Sequence, residues 1–189
     1  MHPQWRLRVG AARDKYSYQY SYQLPVQQVY DRTEDALGDA AAACTGLLSK
    51  AKRTLVFIRP GTLVTIDQLA SAVARRYEYN LHTPVALSGT AGAFRAAYPL
   101  AEMCGTVASP DAMTMSASQA YYPVPSAQAG PHHWNKFSFS NTRTSGLIVS
   151  VLRTDCLSAK PDIAFNGAGA TITAGGRVIT VSELDVTVQ

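Results

Sequence analysis

The chain has 189 residues, with 17 Lys and Arg against 13 Asp and Glu, 47% hydrophobic and only 16% charged residues. That is enough for one globular domain with its own core and too little for two full ones. The apolar content excludes a long disordered chain, and no stretch approaches the uninterrupted apolar run of a membrane helix. So low a charged fraction leaves the surface to Ala, Ser, Thr and Tyr, or hides it against further copies of the chain.

The first residues, MHPQWRLRVGAARDK, lack the apolar h-region of a secretory signal, so the chain is expected to stay in the compartment where it is made. Residues 1–15 carry Arg6, Arg8, Arg13 and Lys15 against Asp14 alone. They read as a flexible basic arm whose partner is acidic, followed by a single β-rich domain over 16–189. Tyr16, Tyr18, Tyr20 and Tyr22 alternate with Ser and Gln up to Leu24, the period of a β-strand, and Pro25 ends it.

From Asp31 the pattern changes. Asp31 and Thr33 are candidate N-caps, Glu34 and Asp35 suit a first turn, and Ala36, Leu37, Ala40, Ala41, Cys44, Leu47, Leu48 and Ala51 recur at helical spacing. Lys50, Lys52 and Arg53 suit a helix C-terminus. A helix is therefore predicted at about 33–52, then a strand over Thr54–Arg59 stopped by Pro60-Gly61. Thr65-Ile-Asp-Gln68 matches a capping box and predicts a second helix over Ile66–Tyr77.

Between Asn80 and Pro131 six prolines divide the chain into short pieces, with a strand near 83–88, a helical turn near 91–98 and a long loop over 105–131. The last third reads as β. His133–Ser140 alternates through Trp134, Phe137 and Phe139, Gly146–Arg153 is apolar, Ala170–Thr173 and Arg177–Val181 flank Gly175-Gly176 as a hairpin, and Glu183–Val188 closes the chain. The expected fold is mostly β, a β-sandwich or jelly-roll-like domain with two or three helical insertions, the alternative being α+β.

Chemistry is harder to place. Cys44, Cys104 and Cys156 are odd in number and show no metal-ligand spacing, which reads as three free, buried thiols. His132-His133 would point to opposite faces of a strand, which works against one shared metal, and a site with His82 and Cys104 or Cys156 would need the fold to bring them together by accident. A cysteine nucleophile at Cys104 or Cys156 would need His82 or His132 beside it. No catalytic residue, metal ligand or cofactor is assigned, and the chain is not expected to be an enzyme. The tyrosine row suits an aromatic face packed on the core or a neighbour better than one that stacks bases.

Two basic clusters are the candidate binding residues: Arg6, Arg8, Arg13 and Lys15 in the arm, and Lys50, Lys52, Arg53 and Arg59 further on. Cations that neutralise phosphates need no fixed spacing, so both suit nucleic acid, RNA in the first instance. Low charge, a basic arm, short strands and long apolar loops together suggest a self-assembling structural protein. The expectation is a small virus coat (capsid) protein: a virion component made in the host cytoplasm, assembled from many copies, packaging nucleic acid and touching no membrane. The alternatives are a tail, spike or fibre component and a small intracellular cysteine-dependent enzyme.

Overall fold

A computed structural model describes residues 6–13, 16–23, 26–30, 33–39, 48–118, 133–183 and 185–189. The first four of these segments are described as backbone strands only. The chain is mostly β, and no helix occurs among the described residues.

The strands are β1 (Arg6–Arg13), β2 (Tyr16–Gln23), β3 (Val26–Tyr30), β4 (Thr33–Asp39), β5 (Lys50–Ile58), β6 (Thr62–Arg75), β7 (Glu78–Thr83), β8 (Ser88–Thr90) and β9 (Ala93–Ala97). They continue with β10 (Glu102–Ala108), β11 (Met113–Ser118), β12 (His133–Phe139), β13 (Arg143–Arg153), β14 (Asp162–Asn166), β15 (Gly169–Ala174), β16 (Arg177–Val181) and β17 (Val186–Val188). An eight-stranded sheet in the order β3-β4-β5-β6-β13-β10-β9-β8 is the centre. A four-stranded sheet, β14-β15-β16-β17, covers one of its faces, and a three-stranded sheet, β11-β12-β7, covers the other. β1 and β2 form a separate antiparallel pair.

Side-chain alternation builds these layers. In β13, Leu147, Val149 and Val151 join Val56, Ile58, Val64 and Ile66 against Ile172, Ile179 and Val181 of the four-stranded sheet. Ile148, between them, turns the other way and joins Tyr79, Phe137 and Phe139 of the three-stranded sheet and Tyr77, just ahead of β7.

That double cover corrects both predicted helices. Strand β6 is paired on both edges and packed on both faces, so residues 64–68 are buried in unbroken succession and the period-two signal disappears. The apparent capping box is a pair of tertiary contacts: Asp67 pairs with Arg53 on the neighbouring strand β5, and Gln68 Nε2 reaches across the layers to donate to Ser182 O at 2.7 Å. Within the predicted helix at 33–52, Thr33–Asp39 is β4 and the chain from Lys50 onward is β5, while 40–47 lies outside the described residues. The helical turn near 91–98 is strand β9, and strands β10 and β11 run into the predicted loop over 105–131, of which 119–131 lies outside the described residues.

The tyrosine-row strand, the strand ending at Ile58 and the β character of the last third are observed. At the β15–β16 hairpin Gly175 and Gly176 have φ of 56° and 73°, left-handed values that favour glycine and suit a tight two-residue turn.

The reading of three free thiols is corrected too. Cys104 on β10 and Cys156, in the connection between β13 and β14, form a disulfide with Cα atoms 5.4 Å apart. Arg153 lies opposite Cys104 in the ladder, and its Nη1 donates to Ser158 O, Ser158 Oγ and Ala159 O, anchoring the same connection. Cysteine spacing could not reveal the bond, because the sheet order, not the sequence, brings β10 beside the end of β13. Cys44 lies outside the described residues.

Candidate functional site

The two faces of the β11-β12-β7 sheet differ sharply. Its register stacks three cross-strand rows on the outer face: Glu78, Ser138 and Thr114; Asn80, Lys136 and Ser116; His82, Trp134 and Ser118. The inner face carries Tyr79, Phe137 and Met115 in one row and Leu81, Asn135 and Ala117 in the next. Phe137 and Phe139 pack in the core, whereas Trp134 is half-exposed on the opposite face. The sequence pattern had grouped all three together.

The outer face is a connected set of groups. The His82 and Trp134 rings stack with centroids 5.9 Å apart and planes 22° apart. Trp134 Nε1 donates to Asn80 Oδ1 at 2.7 Å, which fixes the indole in its plane. Lys136 Nζ lies 5.2 Å from the indole centroid, a cation–π distance, and 3.5 Å from Glu78 Oε2. Ser138 Oγ donates to Glu78 Oε1 at 3.2 Å. Glu78, Asn80 and His82 are exposed, so the aromatic surface is rimmed by an ammonium, a carboxylate, an amide and an imidazole that all reach water.

Beneath this face lies a charged pair. Arg53 Nε and Nη2 donate to Asp67 Oδ1 and Oδ2 at 2.5 and 2.6 Å, and the guanidinium sits 5.6 Å from the Tyr79 ring centroid. Burial alone would lower the Arg53 pKa, but the hydrogen bonds and charge of Asp67 outweigh it and the net shift is upward. Burial pushes the Tyr79 phenol up against the pull of the Arg53 charge.

The basic residues singled out in the sequence are dispersed. Arg6, Arg8 and Arg13 lie on β1, opposite Gln23, Ser21 and Tyr16, while Lys15 lies outside the described residues. Lys50 and Lys52 alternate with Arg53 on β5, which places Arg53 on the other face of the central sheet. Lys50 Nζ donates to Glu183 O at 3.1 Å, and Arg59 is exposed just past the strand. The outer-face residues escaped sequence reasoning because they come from three strands whose pairing the sequence does not announce. The one available signal was the matched alternation of Glu78–Thr83 and His133–Phe139. Cys104 and Cys156 are bonded to each other, so neither thiol is free to pair with His82 as a nucleophile.

No family model and no curated protein matches the chain. Among solved structures it is similar to heparinase III, with TM-score 0.60 and 12% identity over 84% of this chain. It is also similar to the heparan sulfate lyase HepC from Pedobacter heparinus, with TM-score 0.58 and 13% identity over 82% of this chain. The chain spans 26% of the length of each. Identities this low establish a shared β-fold and nothing finer.

Proposed function

We propose that this chain is a β-domain that engages an acidic polysaccharide, and that the polymer lies on the outer face of the β11-β12-β7 sheet. The observation that carries the proposal is the half-exposed Trp134 stacked on His82 with Lys136 beside it. A pyranose ring presents a face of C–H groups that packs on an aromatic surface, while its hydroxyls seek amide and hydroxyl partners such as Asn80 and Ser116. A carboxylate or sulfate on the sugar would be met by the Lys136 ammonium and, when protonated, by the His82 imidazole. The fold shared with proteins named as heparan sulfate lyases supports a sulfated, uronate-containing polymer as the first ligand to try.

The test is binding of the full chain to heparan sulfate, with neutral dextran as control. Retention that falls with salt, is absent for dextran and is lost in Trp134→Ala and Lys136→Ala is the expected result. No binding at low salt to heparan sulfate, chondroitin sulfate or a polyuronate overturns the proposal.

A second proposal is the self-assembling coat protein, favoured by one observation: Arg6, Arg8 and Arg13 share one strand, β1, in a two-stranded sheet of its own. Its test is sedimentation with and without RNA. Shell-sized particles whose nucleic-acid content falls when the three arginines become alanine would support it, and a stable monomer at all salt concentrations would overturn it.

A further inference from the structure

Asn135 is fully buried on the inner face of β12, in an apolar layer with Phe137 and Phe139. A primary amide there gives up its hydration, so its hydrogen bonds must offset that loss. Its Nδ2 donates to Thr83 Oγ1 at 2.8 Å, to Leu81 O at 3.0 Å and to His133 O at 3.3 Å. Thr83 is itself buried, and its hydroxyl donates to Val85 O at 2.7 Å. The three acceptors flank the two rings of the outer face: Leu81 and Thr83 are the chain neighbours of His82, and His133 precedes Trp134. One buried amide therefore grips both strands directly behind the ring pair.

We infer that Asn135, with Thr83, is the positioning residue of the His82–Trp134 platform. Packing alone would be served by leucine, of similar size and with no polar group to satisfy. Leucine would not fix the backbone at Leu81 and Thr83, which sets the direction in which His82 leaves the strand. The Asn135 Oδ1 has no partner among the described residues, so the amide is not there to complete a network of its own. The functional weight of the inference rests on the polysaccharide proposal, but the positioning itself does not.

The experiment follows the platform without ligand. In the full chain the His82 ring protons should carry the ring-current displacement of the Trp134 indole in NMR spectra. In Asn135→Leu this displacement should collapse while the fold is kept, since an apolar residue of the same shape leaves no buried polar atom unpaired on its own side chain. Thr83→Val should reduce the displacement and Thr83→Ser should retain it, and these variants decide the matter if Asn135→Leu does not fold. Where the wild type binds heparan sulfate, Asn135→Leu should bind about tenfold more weakly, equivalent to about 1.4 kcal/mol. A folded Asn135→Leu or Thr83→Val with an unchanged His82 displacement overturns the inference, whatever the binding result. Wild-type protein that shows the displacement but binds no acidic polymer overturns the functional proposal and leaves the positioning role standing.

Discussion

The two interfaces that sandwich the central sheet are built from different chemistry. Against the four-stranded sheet, Val56, Ile58, Val64, Ile66, Leu147, Val149 and Val151 meet Ile172, Ile179 and Val181 in an aliphatic seam. Polar contacts such as Lys50 to Glu183 O and Gln68 to Ser182 O involve that sheet's last connection. Against the three-stranded sheet aromatic rings dominate that sheet's own side: Phe94 of the central sheet lies 5.1 Å from Phe137, and Phe139 meets Tyr77, just ahead of β7, edge-on. That interface also encloses the Arg53–Asp67 pair and Asn135. Aliphatic packing tolerates small rearrangements, whereas hydrogen-bonded groups accept few geometries. The more constrained interface is the one beneath the exposed ring platform.

Perturbations of the aliphatic side should cost stability and leave the platform intact. The largest effect expected is from reducing Cys104–Cys156, which ties the central sheet to the connection leading into the four-stranded sheet. For a sequence separation of 52, loop-closure entropy gives about 4 kcal/mol. Urea denaturation with and without reductant would measure it. Ile172→Ala should follow at about 3 kcal/mol, by the same method, with the His82 ring-current displacement unchanged.

On the other side the balance reverses. Asp67→Ala leaves Arg53 without its partner. With the Asp67 side chain 8% exposed but that of Arg53 35% exposed, the loss should be about 2 kcal/mol, below the 3–5 of a fully buried pair. Its distinguishing sign is a shifted His82 resonance, because Tyr79 lies on the strand that carries His82. Glu78→Gln should barely alter stability but free Lys136, so heparan sulfate affinity should rise about threefold in calorimetry.

The smallest effect concerns Asp111, whose carboxyl is held below its ordinary range by hydrogen bonds from Arg143. A depressed folded-state pKa means the pair stabilises above the unfolded value of about 3.9 and loses its contribution as pH falls through the folded value. Asp111→Asn should therefore slightly flatten the acid limb of the stability curve, read by denaturation in steps below neutral pH.

Strands β14 to β17 were legible because each is covered on one face: Gly175-Gly176 marks their hairpin, and Ile172 and Ile179 alternate with Thr173 and Thr180, whereas β13, buried in succession over 147–151, was legible only as a short apolar run. Strand β6 was illegible for the opposite physical reason. Cover on both faces removes the alternation, and the surviving spacing of Ile66, Leu69, Ala70 and Val73 happens to fit a helix. The platform was hidden because Trp134 sits among core aromatics in sequence and beside His82 only after β7 and β12 pair. The basic clusters were easy to see because charge is a property of composition. The pairing that would give them a common surface is not.

The position of β13 has a consequence for how the chain reaches this state. Its strand slots between β6 and β10, pairing Val149 with Ile66 and Gly105 with Leu152. All of β7 to β12 must therefore be synthesised before the second edge of β6 is filled. Until then a strand whose residues 64–68 are all buried in the finished fold presents an open ladder to any neighbouring chain. Closure of so distant a pairing is slow relative to local hairpins, on the order of milliseconds to seconds for such topologies. Production of soluble material should therefore depend more on low synthesis rate and low temperature than on any change to the finished protein's surface.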